Sequence, residues 1–151
     1  MSPRPELTFD NDEALDALVA AFERGDTPSE GFSHQAHLAV ALVYLDRQGL
    51  DQATRSLRTG LLSFLERAFG DRTAAEVKYR ETVTVFWLRL LAAELAATDA
   101  SRALHERVNP LLARYRDAST IHRYYSRERL ESDEARRAFV EPDLKPLPPL
   151  V

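Results

Sequence analysis

Two of the four histidines in the chain stand three residues apart, in Phe32-Ser33-His34-Gln35-Ala36-His37-Leu38. Neutral imidazole serves as a base or a metal ligand near pH 7. Ser33 is a good N-cap, so the spacing puts both rings in the first turn of a helix and on one side of it. His34 and His37 extend backwards the apolar stripe Leu38, Ala41 and Leu45, so that side should face inward. The positive end of the helix dipole disfavours imidazolium there. Inward, neutral imidazoles at one end of a helical bundle suit a metal site or general-base work. The plainer reading has one histidine packed inside against a carbonyl or carboxylate and the other helping to cap the helix. An isolated H-x-x-H recurs often by chance.

A second stretch, Lys78-Tyr79-Arg80-Glu81-Thr82-Val83-Thr84, opens another helix. Glu81 shares a face with Val85, Leu88, Ala92 and Leu95 and should also point inward, where a carboxylate needs a partner. If the two helix starts meet, His34 and His37 are its natural partners. Two histidines and one carboxylate form a recognised facial set for a divalent metal, so His34, His37 and Glu81 are the expected ligands. The same three residues could act without metal, as a base with its orienter. Alternatively, Glu81 is a first-turn acid favoured by the dipole.

The third stretch is Ile121-His122-Arg123-Tyr124-Tyr125-Ser126-Arg127, followed by Arg136 and Asp143. Tyr125 can supply a phenolic donor, and Arg136 can hold a carboxylate in a fork. The plainer expectation is a core-edge tyrosine and an Arg136–Asp143 ion pair. His105, in a charged segment, is expected at the surface.

Helices must position these groups. Periodicity and capping predict helices over about 11–24, from Ser33 to Gly49, from an Asp51 cap to Gly70, and from Tyr79–Glu81 to about 97. The last of these is apolar on most sides, which marks a central helix. Gly60 inside the third suggests a close helix crossing. Ser101 is the expected cap of a further helix that kinks or restarts at Asn109-Pro110. Residues 73–77 and 119–125 read as helical turns, and 127–130 and 133–139 as short helices. The fold class is all-α, a compact bundle of about five to seven helices in one domain spanning 1–151. Residues 1–9 form an irregular lead-in. The proline-rich tail, 141–151, should be extended, with Leu144, Leu147 and Leu150 able to lie along the helical body.

Composition narrows the chemistry. There is no cysteine, so disulfides, thiolate metal sites and cysteine nucleophiles are excluded. With 20 basic and 24 acidic residues the net charge is −4, which argues against nucleic acid as a partner. No apolar run is long enough to span a membrane, and the N-terminus carries no apolar signal region. A cytoplasmic location is expected. There is no glycine-rich phosphate loop, nucleophile elbow or H-E-x-x-H.

In order, the motifs Phe-Ser-His-x-x-His-Leu, Lys-Tyr-x-Glu-Thr-x-Thr, Tyr-Tyr-Ser, Ser-x-x-Ala-Arg and Pro-Asp-Leu resemble a family of small uncharacterised bacterial helical proteins. The resemblance covers roughly residues 32–147. It implies that His34, His37, Tyr79, Glu81, Thr82, Tyr125 and Arg136 belong to shared motifs, and it brings no reaction with it. The family pattern has histidine where this chain has Arg80, which turns expectation from a metal towards an anion near that helix start. The leading functional expectation is a small enzyme with a His34/His37/Glu81 site, with a divalent metal as one option. In it Tyr79, Arg80, Thr82, Tyr125 and Arg136 hold a small polar or anionic molecule. The alternative is a non-catalytic binding or interaction module in which His34, His37 and Glu81 form a buried structural network. A homodimer is a reasonable expectation given the apolar helix and the proline-rich arm.

Overall fold

The computed structural model describes residues 7–27 and 32–149, and among them the chain is all-helical. The α-helices are α1 (Asp12–Arg24), α2 (His34–Gln48), α3 (Leu50–Phe69), α4 (Arg72–Lys78), α5 (Glu81–Ala96), α6 (Leu104–Arg114), α7 (Arg127–Leu130) and α8 (Asp133–Arg137). A 3-10 helix, Ala118–Arg123, lies between α6 and α7.

Two helices make the centre. In α2 the run Leu38–Leu45 is buried throughout, and α5 buries Phe86, Trp87, Leu88, Leu90 and Leu91. Each large apolar side chain removed from water contributes roughly 1.5–3 kcal/mol. With apolar residues all round, these two helices are stable only when enclosed. Accordingly α2 packs against α1, α3, α5 and α6, while α5 packs against α2, α3, α6 and α8. By contrast α1 presents one apolar face, Leu15, Val19 and Phe22. All the described helices except α4 contribute to one hydrophobic core.

Local signals fix most boundaries. Asn11, Ser33, Asp71, Ser126 and Ser132 each cap a helix by accepting a backbone N–H. Gly49 alone joins α2 to α3, with φ 80 and ψ 171, a left-handed excursion that suits glycine. So α3 begins without the side-chain cap expected of Asp51. Gly60 marks the expected close crossing: a Cβ there would stand 2.3 Å from the Phe22 ring.

Two expectations about α6 are corrected. Its N-cap is Ala103, not Ser101, which instead bonds Asp99. The helix also continues through Pro110 and so does not restart there. Asn109 is not free to cap, because its amide bonds both backbone groups of Phe9 at 2.9 Å and ties down the lead-in.

The C-terminal segment lies on its own body. Leu144 N–H donates to the Tyr124 carbonyl, Arg129 donates to the Glu141 carbonyl, and Leu147 is buried. Leu144 is exposed, and Leu150 and residues 1–6 lie outside the described residues. No described helix is long and apolar enough to cross a membrane.

Candidate functional site

His34 and His37 both line one cavity of about 370 Å³, as their spacing predicts. Leu38 and Ala41 continue that wall along α2, Leu57 and Leu61 come from α3, and Val83, Thr84 and Trp87 come from α5. Ala118 and Ile121 of the 3-10 helix close one side. Among the described residues, the polar side chains in the lining are thus the two histidines and Thr84, with the indole N–H of Trp87; no described Lys, Arg, Asp or Glu contributes. The volume suits a small ligand, and a mostly apolar wall with few polar groups is the usual form of such sites.

Each imidazole has one nitrogen committed. His34 Nε2 lies 2.9 Å from the Tyr115 carbonyl, and His37 Nδ1 lies 2.8 Å from the Ser33 carbonyl. A carbonyl only accepts, so both ring nitrogens must be N–H donors. In the neutral rings this leaves lone pairs on His34 Nδ1 and His37 Nε2. Neither atom is among the sealed-off unpaired atoms of the described residues. Both rings line the cavity.

Aromatic neighbours hold the rings in place. His34 meets Trp87 edge-on at 4.9 Å between centroids, and His37 lies 4.1 Å from Phe32 and 6.3 Å from Phe64. These walls keep the imidazoles neutral. Burial lowers the pKa of His34 below the ordinary histidine value, partly offset by the Tyr115 carbonyl and the Asp117 charge. Burial also lowers that of His37; the Ser33 carbonyl opposes the shift and the nearby His34 adds to it. Their place in the first turn of α2 acts in the same direction.

Glu81 does not join them. Its carboxylate accepts from Arg58 Nε at 2.9 Å, from Arg58 Nη2, and from the Tyr79 hydroxyl at 2.7 Å. Glu81 does face inward, but towards Arg58 of α3 and not towards the start of α2. Burial and the Glu81 charge raise the pKa of the Tyr79 phenol, which therefore remains a donor. Among the described residues no three His, Asp or Glu side chains are grouped so as to hold a metal ion. The set His34, His37 and Glu81 therefore does not fit a two-histidine, one-carboxylate centre. For the same reason it is not one buried network.

The remaining expected residues fall into two further groups. Arg136 lines a separate hollow of about 340 Å³ with Arg58, Tyr79, Glu81 and Arg137. It approaches Asp133 at 3.5 Å and not Asp143, which instead bonds the backbone of Ser126. Thr82 and Tyr125 are buried clamps on the chain after α8. The Thr82 hydroxyl donates to the Ala138 carbonyl at 2.9 Å and accepts from Val140 N–H, while the Tyr125 hydroxyl donates to the Val140 carbonyl at 2.6 Å. Burial pushes the Tyr125 phenol up to about 12. Arg80 is exposed at the start of α5 and makes no side-chain cap. His105, expected at the surface, is held by Asp12 at 2.7 Å.

Sequence reasoning missed Thr84, Trp87, Leu57, Leu61 and Ile121 as cavity walls, and Arg58 as the partner of Glu81. Trp87 is the single tryptophan of the chain, yet an aromatic on an apolar helix reads as core. The Tyr115 and Ser33 acceptors are backbone atoms and leave no residue-type signal. Comparison with protein families, with curated proteins and with solved structures finds no match to this chain.

Proposed function

We propose that this protein binds a small, largely apolar molecule carrying an O–H or N–H donor, with His34 and His37 as proton acceptors. The observation that carries this reading is the pair of free imidazole lone pairs in one apolar-walled cavity, each set by a backbone carbonyl behind it. A neutral imidazole oriented in this way is equipped as a general base. The chemistry open to the pocket is proton abstraction from the bound donor. With no cationic side chain among the described wall residues, an anionic ligand would lose its hydration without compensation. A neutral ligand fits this wall better, the polar option of the small polar or anionic molecule expected from the sequence.

Phenol and anisole test the reading, since they share an aromatic ring and differ in the donor. The single indole N–H resonance of Trp87 reports occupancy of the cavity. Phenol should shift it saturably and bind about fivefold or more tighter than anisole, the worth of roughly one net hydrogen bond. Equal binding of the two, or none by either, contradicts the proposal.

A second reading rests on the same two hydrogen bonds. The His34 ring joins the start of α2 to the end of α6, and such a link could serve stability alone. His34→Gln would then lower the melting temperature while leaving phenol and anisole indistinguishable in every variant.

A further inference from the structure

Between α3 and α5 a second groove, of about 490 Å³, shares no lining residue with the histidine cavity. Its wall carries three guanidiniums, Arg55, Arg58 and Arg89, with Thr54 and one carboxylate, Asp51. That excess of positive charge stands out on a chain whose net charge is −4.

The arginines are incompletely used. Among the described residues Arg55 donates only to the neutral side chain of Gln52, and Arg58 spends Nε and Nη2 on Glu81. Arg89 Nε is buried with no partner among the described residues, and its guanidinium lies over the Phe139 ring at 5.2 Å. The one carboxylate paired with Arg89 is Glu141, which is mostly exposed and reaches Nη1 only at 3.5 Å. That Nε is sealed from solvent, so it is the rest of the Arg89 guanidinium that lines the groove and can meet a ligand there. Forked guanidiniums match the oxygens of phosphate. The Thr54 hydroxyl already donates to the Leu50 carbonyl at 2.7 Å, so towards the groove it can only accept.

We infer that this groove binds the phosphate group of a small phosphorylated molecule, with Arg89 and Arg55 as its principal contacts and Thr54 accepting from a ligand hydroxyl. The cavity is too large for phosphate alone, which favours an ester.

Arginine Nε–H resonances of the full chain, followed by NMR at constant ionic strength, test this. The probes are inorganic phosphate, glycerol 3-phosphate and, as control, chloride. The Arg89 resonance should shift saturably with glycerol 3-phosphate, and Arg55→Gln should weaken binding at least fivefold. Arg55 is exposed, so this variant should fold normally; Arg89→Lys, which keeps the charge and loses the fork, should abolish saturation. Equal binding of inorganic phosphate would identify free phosphate as sufficient and still support the site. Shifts that are linear, equal to those of chloride, or unchanged in Arg55→Gln overturn it.

Discussion

The His34 ring donates from Nε2 to the backbone carbonyl of Tyr115, 2.9 Å away and 81 positions along the chain. That bond fixes the ring against the end of α6 and leaves Nδ1 as its free acceptor. His37 makes the same kind of bond to its own helix cap, through Nδ1, and frees Nε2. The two rings are thus committed through opposite nitrogens, and each offers its remaining one.

Protonation of either ring has a cost in the folded state, because burial disfavours imidazolium at both positions. The unfolded chain keeps the ordinary value of 6.5 and takes up protons first as the pH falls. Stability is therefore level above about pH 7 and declines as the pH drops through about 6.5. Thermal melts should show this decline well before carboxylates titrate near pH 4. In a His34→Gln/His37→Gln double variant the decline in that window should flatten.

Gly60→Ala sets two effects against each other. Alanine gains about 1 kcal/mol of helix propensity. Its methyl group, however, would fall 2.3 Å and 2.6 Å from two carbons of the Phe22 ring. Phe22 is 1% exposed, so its ring must shift against packed neighbours, and overpacking of this kind costs about 1–3 kcal/mol. Urea unfolding should show a net loss of up to about 2 kcal/mol, reduced when Phe22→Leu is also present.

Glu81→Gln separates the carboxylate from the histidines. Losing the charged hydrogen bonds from Arg58 should cost about 1 kcal/mol, the low end for charged pairs because the Arg58 side chain is 38% exposed. The NMR titration of His34 and His37 should be unchanged by this substitution. A large move of either would place Glu81 in the histidine site after all.

Much of this was legible in the sequence, and what escaped it has a physical cause. The Ser33 cap, the inward stripe from His34 to Leu45 and the enclosed α5 follow from capping chemistry and helical period. Gly60 announced the crossing with Phe22. Glu81 was correctly turned inward, but period gives the face of a helix and not the neighbour it meets. Arg58, four residues past Thr54 on α3, supplies that neighbour. Thr82 and Tyr125 look like binding residues by type, yet their hydroxyls are spent on the backbone carbonyls of Ala138 and Val140. Asn109 before a proline reads as a cap until Phe9, 100 positions earlier, claims its amide. Pairings over such separations depend on the assembled core.

Long-range proton–nitrogen NMR of the histidine rings at pH 7 decides whether two neutral imidazoles with defined tautomers face one cavity. His34 should be protonated on Nε2 alone and His37 on Nδ1 alone, with the unprotonated nitrogen of each shifting when phenol is added. Rings that are doubly protonated, or that average freely between tautomers, would contradict this arrangement.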